Sequence, residues 1–444
     1  MKLFKILFLF LTIPATSQVP SIVWQRSYGS PGNDKVVSIT KGNNNGFVVA
    51  GYADSNGGDI SNHHGVDGSD DIWVYEIDSI GTILWSSLLG GTGGEQASTV
   101  IQTLDGGFAI NGSSYSNDGD VYNSHWPSDE IWVVKTDSTG NILWQNSYGG
   151  SDDELSNDIK QTSDSGFIII GNTDSNDGDV HGYNGNGDIF LVRTNMAGLL
   201  LWTKSIGGSS WDYGVCVETT ANGGFLIGGN TISNDGDISG HHNTSTGDIW
   251  IAKVNSFGVI QWQRCYGGTG VDNISRILMC SDGGFYITGL TGSNDGDVTG
   301  NFGFYDYWVA RCDSSGSILW QHCYGGISFE GAYSSNRTSD GGLIIVGVTD
   351  SDSSFMVGAN NGIDDIWILK IDSIGNFEWG KCLGGTNFET GDAVIQTTNG
   401  DFLVTGSTLS SDGDVTFNHG AKDAWIIKLS SPFSDISQIE NEPS

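Results

Sequence analysis

The segment Val133-Val134-Lys135-Thr136-Asp137-Ser138-Thr139-Gly140-Asn141-Ile142-Leu143-Trp144 contains two runs of strand-forming residues on either side of an Asp-x-x-Gly turn. β-Branched and aromatic residues favour extended structure, and this turn sequence is typical of a type I turn closed by a glycine bulge. The segment therefore predicts a β-hairpin whose second strand carries a tryptophan.

The same tryptophan position occurs seven times, at intervals of 58 to 61 residues: Trp24, Trp85, Trp144, Trp202, Trp262, Trp320 and Trp379. A second aromatic position lies between these tryptophans, at Trp73, Trp132, Phe190, Trp250, Trp308, Trp367 and Trp425. Self-similarity at a fixed period indicates one supersecondary unit repeated along the chain. We therefore expect a single array of seven repeats.

Each repeat divides into four strand-length segments, which we name a, b, c and d. In the third repeat they are predicted at 157–160, 166–170, 189–192 and 200–205. Turns such as Asp105-Gly106-Gly107 connect a to b, and Asp-x-x-Gly turns connect c to d. Both are hairpin connections, so each repeat is predicted to be a four-stranded antiparallel sheet.

These features predict an all-β fold, a single seven-bladed β-propeller over residues 18–431, followed by a polar tail at 432–444. Four-stranded sheets arranged around an axis bury their apolar faces without long open edges. The ends of the array are complementary, since Ile22–Tyr28 is predicted as a lone d strand and Trp425–Leu429 as a c strand without its own d strand. We expect the first segment to complete the last blade. The longer d–a and b–c connections then share one face, where function is expected to concentrate.

The amino-terminal residues 1–17 are predicted to be a secretory signal peptide, because Lys2 and Lys5 precede an apolar run, Ile6–Ile13, that is too short to cross a bilayer. We therefore expect a secreted or cell-surface protein, a monomer with no transmembrane segment. The chain has 52 acidic and 18 basic residues. This balance argues against a nucleic-acid partner and favours divalent cations.

Six cysteines in an exported chain raise the question of disulfide bonds. Cys265, Cys323 and Cys382 each lie three residues after a leading tryptophan, so they occupy equivalent places in successive blades. We expect their Cα atoms to be too far apart for a bridge. The pairing of the remaining cysteines, Cys216, Cys280 and Cys312, stays open.

An acidic residue lies ten residues after each leading tryptophan: Asp34, Glu95, Glu154, Asp212, Asp272, Glu330 and Glu389. In one interpretation these carboxylates form a ring near the channel mouth that gathers cations. In the other, each carboxylate accepts backbone N–H bonds and fixes its own d–a loop. The sevenfold regularity favours the second interpretation, because polar groups near the end of a blade need partners.

The b–c connections carry Ser-Asn-Asp-Gly-Asp or a close variant in five repeats, and another acid lies two residues before each second aromatic position. Carboxylates around a glycine are ligands that calcium prefers, although the spacing differs from that of an EF-hand. We predict calcium as a cofactor, with Asx-turns that only shape the loop as the alternative. The candidate ligands are Asp118, Asp120, Glu130, Asp177, Asp179, Asp188, Asp235, Asp237, Asp248, Asp295, Asp297, Asp306, Asp412, Asp414 and Asp423.

Aromatic residues break the sevenfold symmetry of the same connections. Beside carboxylates, aromatic rings are suited to stacking on sugar rings, and packing over the blade edges is the alternative. The candidate ligand-binding residues are Trp126, Trp211, Tyr305 and Phe388. Seven of the eight histidines also lie in these connections, an arrangement typical of solvated loop side chains. No known catalytic motif is present, and the sequence does not single out the carboxylate pair that a glycosidase needs.

The segment 133–144 resembles the blade motif of quinoprotein-type propellers. The full unit, with Tyr-Gly-Gly, Asp-Gly-Gly-Phe and Ser-Asn-Asp-Gly-Asp, more closely resembles the propeller repeats of secreted surface proteins from Bacteroidetes-type bacteria, over about residues 22–429. This resemblance implies association with type IX secretion and, for some members, an endoglucanase-like activity.

Three functional hypotheses follow. The first is a secreted or cell-surface binding or adhesion propeller for a polysaccharide or cell-surface glycan, stabilised by calcium. The second is a glycan-cleaving enzyme of endoglucanase type. The third and most distant is a quinoprotein oxidoreductase, for which no residue of this chain can be matched to quinone binding.

Overall fold

The computed structural model describes residues 19–125, 127–242, 245–351, 353–354 and 356–431. The predicted signal peptide, the predicted tail and Trp126 lie outside the described residues. Within these ranges the chain forms seven four-stranded antiparallel sheets and one short hairpin, and it contains no helix. The prediction of an all-β, seven-bladed propeller is confirmed.

The strands are numbered in chain order and occupy the same four positions in every blade. The a strands are β2 (Asp34–Lys41), β6 (Glu95–Gln102), β10 (Glu154–Gln161), β14 (Asp212–Thr219), β18 (Asp272–Met279), β22 (Glu330–Arg337) and β28 (Glu389–Gln396). The b strands are β3 (Phe47–Ala53), β7 (Phe108–Ser114), β11 (Phe167–Thr173), β15 (Phe225–Thr231), β19 (Phe285–Thr291), β23 (Leu343–Thr349) and β29 (Phe402–Thr408).

The two outer positions follow the same order. The c strands are β4 (Asp71–Ile77), β8 (Glu130–Thr136), β12 (Asp188–Thr194), β16 (Asp248–Val254), β20 (Asp306–Cys312), β26 (Asp365–Ile371) and β30 (Asp423–Leu429). The d strands are β5 (Ile83–Leu89), β9 (Ile142–Tyr148), β13 (Leu200–Ile206), β17 (Ile260–Tyr266), β21 (Ile318–Tyr324), β27 (Phe377–Leu383) and, from the amino terminus, β1 (Ile22–Tyr28). In the sixth blade, β24 (Ser353–Ser354) and β25 (Gly358–Ala359) form a hairpin within the b–c connection.

The a strands form the inner ring of the propeller. Each a strand contacts the a strands of the two neighbouring blades, and the contact between β2 and β28 closes the circle. The b and c strands are almost wholly buried, because both of their faces pack against adjacent blades. Since c-strand tryptophans such as Trp73 and Trp132 are fully buried, the aromatic repeat seen in the sequence belongs to the core between blades.

The amino-terminal strand closes the ring. β1 pairs antiparallel with β30, with Gln25 opposite Ile427, and the seventh sheet has the order β1, β30, β29, β28. This strand also completes a buried polar contact, because Trp425 donates its indole N–H to Gln25 Oε1 at 2.7 Å. Trp250 makes the same bond to Gln263 at 2.7 Å within the covalently continuous fourth blade. The predicted ring closure is therefore confirmed.

We expect Gln25→Leu and Gln263→Leu to lower the free energy of unfolding by a similar amount, about 1–3 kcal/mol, because each leaves a buried indole N–H without its acceptor. Chemical denaturation of the two variants measures this. If Gln263→Leu destabilises the protein and Gln25→Leu does not, the amino-terminal strand contributes less to the fold than a d strand supplied in sequence.

Candidate functional site

The seven acids that follow the leading tryptophans are the first residues of the a strands. The sequence had placed them in the d–a loops, which end one residue earlier. All seven are fully buried. Each accepts a backbone N–H from the turn four residues earlier, as Glu95 does from Gly91 at 2.8 Å and Glu154 from Gly150 at 2.7 Å. A b-strand hydroxyl occupies the second oxygen in most blades, as Thr173 does for Glu154 at 2.6 Å. These bonds support the structural interpretation of the ring.

A second ring of seven fully buried acids opens the c strands: Asp71, Glu130, Asp188, Asp248, Asp306, Asp365 and Asp423. One oxygen of each accepts a backbone N–H from the preceding loop, for example that of Asn184 at 2.8 Å on Asp188. The other oxygen of each is buried and has no hydrogen-bond partner in the part of the chain that the structure describes. The c-strand ring is therefore incompletely satisfied.

Each c-strand acid lies beside the a-strand acid of the next blade, and we call each such pair a carboxylate junction. The seven junctions are Asp71/Glu95, Glu130/Glu154, Asp188/Asp212, Asp248/Asp272, Asp306/Glu330, Asp365/Glu389 and Asp423/Asp34. Burial, with the neighbouring carboxylate adding to it, raises the pKa of Asp34 to about 7 and that of Asp188 to about 6. The junctions thus hold paired acids that resist ionising together.

A glycine separates the two carboxylates of a junction. A Cβ on Gly29 would lie 2.5 Å from Asp34 Oδ2 and 3.1 Å from Asp423 Oδ1. Gly90 has the same relation to Glu95 and Asp71. Because neither glycine has a positive φ, these positions require glycine for the space beside the oxygens and not for the backbone conformation.

The two aspartates of each Asp-Gly-Asp loop make different contacts. The first fastens the neighbouring d–a loop, as Asp118 does by accepting the Thr92 N–H at 2.7 Å and Asp235 by accepting that of Ser209 at 2.7 Å. The second stands at the rim of the junction with the preceding blade, where Asp120 accepts the Gly90 N–H at 3.3 Å. The sequence grouped Asp118, Asp120 and Glu130 within one blade, whereas these contacts relate Asp120 to the Asp71/Glu95 junction.

Over the described residues, no group of three or more His, Cys, Asp or Glu side chains stands assembled as a metal site. Each junction brings two carboxylates together, and at six of them an aspartate of the b–c loop lies at the rim. The six cysteines are free, and three of them, Cys265, Cys323 and Cys382, lie near c-strand acids. Burial raises the pKa of the Cys265 and Cys323 thiols to about 12, so these thiols remain protonated and are poor metal ligands.

The residues just before each a strand and c strand, and just after each b strand, surround one end of the central channel, which we call the channel mouth. Repeated backbone bonds fix these positions in every blade, including Ile232 N–H to Trp211 O and Glu330 N–H to Tyr305 O. The structure therefore brings three of the predicted ligand-binding residues, Trp211, Tyr305 and Phe388, to equivalent levels of the same mouth.

One side of the channel mouth is aromatic. Trp211 and Tyr213, which are 40% and 42% exposed, stack in parallel with centroids 5.9 Å apart and an angle of 3° between the rings. Tyr305 packs edge-on against Phe329 of the next blade at 5.7 Å, and Phe388 is exposed beyond them. We call these five residues, from blades four to seven, the aromatic arc.

Acids also lie at the channel mouth: Asp350 and Asp364 in blade six, and the others in the first three blades. Asp54, Asp70, Asp129, Asp153 and Asp174 take the mouth positions there, and we call them the acidic arc. Burial raises the pKa of Asp70, Asp129 and Asp174, with nearby aspartates adding to the shift. The mouth thus presents both aromatic faces and hydrogen-bond acceptors, with most of its carboxylates in the first three blades.

Sequence reasoning missed Tyr213, Phe329 and the acidic arc. Their signal was their position. Tyr213, Phe329, Asp70, Asp129 and Asp153 each lie next to a repeated acid, whereas Asp54 and Asp174 each follow the last residue of a b strand. It also treated the histidines as solvated, whereas His64, His125, His242 and His419 donate or accept through Nδ1 at the c-strand acids, at 2.6–3.0 Å. Their signal was that each histidine lies four to seven residues before its c-strand acid.

Comparison with known proteins leaves the function open. No protein-family model and no curated protein matches the chain. Among solved structures, the WD40 domain of Neurospora crassa Pan2 aligns with a TM-score of 0.49 at 9% identity, covering 92% of this chain and 95% of that one. A catalytically inactive virginiamycin B lyase from Staphylococcus aureus gives 0.48 at 10% identity, covering 91% and 99%.

A third match is a protein of unknown function from Bacteroides caccae, with a TM-score of 0.40 at 11% identity, covering 70% of this chain and 89% of that one. Identities and scores of this size transfer no residue role. In the described part of the chain, no helix is long and apolar enough to span a bilayer.

The buried acids predict a pH dependence of stability in metal-free buffer. The pKa is about 7 for Asp34 and Asp306 and about 6 for Asp188 and Asp365, against about 3.9 in an unfolded chain. The folded state therefore holds these protons more tightly, and the stabilisation present below about pH 4 is lost as the pH rises through 6 to 7. We expect the melting temperature to fall by several degrees between about pH 5 and pH 8.

Differential scanning calorimetry at fixed ionic strength measures this change. In Asp188→Asn the fall should be smaller, because one raised carboxyl pKa is removed. A melting temperature that increases steadily from pH 5 to pH 8 would contradict the prediction.

Proposed function

We propose that this protein is a binding propeller that acts outside the cytoplasm and holds a neutral polysaccharide chain across its channel mouth. The observation that carries the proposal is the exposed, parallel pair of Trp211 and Tyr213 beside an arc of carboxylates. Export is supported by the predicted signal peptide at residues 1–17.

Aromatic rings and carboxylates offer a sugar the two kinds of contact that it needs. An exposed ring buries the apolar C–H face of a pyranose, and a carboxylate accepts bonds from its hydroxyl groups. Asp174 and Trp211 supply both within one small area, since each borders Gly187, where a Cβ would lie 3.1 Å from Asp174 Oδ1 and against the Trp211 ring. Burial raises the pKa of the Tyr213 hydroxyl, and the charge of nearby Asp174 adds to this shift.

The charge of the mouth selects the class of glycan. The acidic arc lies in a chain with a formal net charge of −34, so an anionic polysaccharide would be repelled as it approaches. The aromatic arc spreads over four blades, which suits an extended chain better than a single sugar. A neutral polysaccharide fits both features.

Trp211→Ala is expected to weaken binding to a neutral polysaccharide at least about tenfold, or about 1.4 kcal/mol, because the stacking platform is lost. Affinity electrophoresis against a panel of soluble neutral and anionic polysaccharides, followed by calorimetry on the best binder, measures this. Phe257→Ala is the control, because Phe257 is an aromatic residue that is even more exposed than Trp211 but lies in a c–d turn on the other face.

Binding that is absent across the panel, or lost equally in both variants, would contradict the proposal. Release of reducing sugar from a bound polysaccharide would instead show the glycan-cleaving activity that was the second hypothesis.

A further inference from the structure

The carboxylate junctions carry more negative charge than the described protein groups around them neutralise. Fourteen acids with no exposed surface form the seven pairs. The ion pairs made by lysine and arginine over the described residues go to other acids, such as Asp164 with Arg193 and Asp282 with Arg311 in the a–b turns. Histidines approach four of the c-strand acids, but Asn184, Phe302 and Asn361 stand in their place at the other three. Histidine therefore cannot be the general counter-charge.

The unsatisfied oxygens indicate where a counter-charge belongs. At five junctions, the buried oxygen of the c-strand acid that has no partner among the described residues lies beside the junction glycine, and the next a-strand acid approaches the same glycine. These glycines are Gly29, Gly90, Gly207, Gly325 and Gly384. At Gly325, a Cβ would lie 2.6 Å from Glu330 Oε2 and nearer still to Asp306 Oδ1. Leaving a buried charge unpaired costs several kcal/mol, whereas an ion between the two carboxylates removes that cost.

We propose that the carboxylate junctions are calcium sites that fasten each blade to the next. In each site the c-strand acid of one blade and the a-strand acid of the following blade would bind the ion directly, and the second aspartate of the Asp-Gly-Asp loop would contribute from the rim. Asp59, Asp120 and Asp414 hold this rim position, each accepting the N–H of a junction glycine at 3.2–3.3 Å. The proposal is independent of polysaccharide binding.

The donor atoms favour calcium over a transition metal. Carboxylate oxygens and water are the ligands that Ca²⁺ prefers, in a flexible shell of six to eight. Among the described residues, the c-strand acid bonds an imidazole at four of the seven junctions only. Two or three carboxylates per ion predict weak sites, with dissociation constants of about 0.1–1 mM, which is typical of extracellular calcium modules.

The chain contains an internal comparison. Six junctions have an aspartate at the rim: Asp59, Asp120, Asp179, Asp237, Asp297 and Asp414. At the Asp306/Glu330 junction no aspartate of the described residues takes this position, and the sixth blade has the sequence Ser353-Ser354-Phe355-Met356 where five of the other loops have Asp-Gly-Asp. We therefore expect six sites of similar affinity and a weaker seventh.

The test uses two double variants of the mature chain. Asp188→Asn/Asp365→Asn removes one buried ligand from each of two junctions that lack histidine. Asp235→Asn/Asp412→Asn removes a carboxylate from the same two loop clusters, but one that caps backbone N–H groups outside the junction. Bound calcium is counted by equilibrium dialysis with elemental analysis, and melting temperatures are recorded in calcium and in EGTA.

We expect the wild type to bind about six ions and to melt several degrees higher in calcium than in EGTA. The first variant should bind two fewer ions and melt higher than the wild type in EGTA, because two buried charges are gone. The control should keep the full number of ions. No calcium binding at millimolar concentration would overturn the proposal and leave a shared proton in each pair. An equal loss in both variants, or no loss in the first, would also overturn it, and the single variants serve if the double one does not fold.

Discussion

The passage of the chain from one blade to the next depends on a buried carboxylate that binds the turn preceding it. Glu95, Glu154 and their equivalents begin the a strands and hold the N–H groups of the Gly-Gly turns through which the chain moves inward from a d strand. The bond is strong because a charged acceptor meets a backbone donor away from water. With seven such bonds, every a strand starts at the same level, which places the loops of all blades around one mouth.

The two acids of a junction differ in how fully their oxygens are hydrogen-bonded, and a glycine leaves space between them. The a-strand acid is almost fully satisfied, whereas the c-strand acid of the preceding blade keeps one buried oxygen without a partner. A side chain on Gly29 or Gly90 would fill the space beside that oxygen, but it would collide with the carboxylates. The conformation of the chain does not require these glycines, so their value lies in the space that they leave between two carboxylates.

The molecule thus separates a symmetric layer from an asymmetric one. The junctions repeat in all seven blades, as structural positions do, whereas the mouth varies around the ring. Its carboxylates lie in the first three blades and in blade six, and the aromatic arc lies in blades four to seven. If all seven blades presented the same residues at the mouth, an extended ligand would have no preferred direction across it. Different residues on different blades give it one. Trp211 and Asp174 lie where the two arcs meet.

The sequence was sufficient for the architecture, because period and turn chemistry are local. The strand pattern and the hairpin turns depend on residues within one repeat. The complementary ends follow from comparing the first and last segments with that repeat, and all three predictions were confirmed. The relation between Asp71, Glu95 and Asp120 was not predictable in the same way, because it joins two blades through side-chain directions that no spacing encodes. The histidine bonds to the c-strand acids were missed for a related reason, since loop position alone suggested exposure to solvent.

Ring closure follows from the same joint. β1 lies beside β30 as the d strand of the seventh blade and then continues directly into β2, so the chain passes from Tyr28 to Asp34 through a turn like every other d–a turn. Asp34 N–H therefore bonds Lys422 O just as Glu95 N–H bonds Asp70 O, and Asp423 meets Asp34 across Gly29. In the first turn Ser30 replaces the second glycine, and its hydroxyl reaches Asp34 at 3.1 Å, where Ala53 supplies no hydroxyl from the b strand. The first d–a joint thus keeps the Asp34 and Asp423 contacts across Gly29, with the Ser30 hydroxyl in place of the b-strand hydroxyl of the other joints, and the covalent break in the ring lies only between β30 and β1.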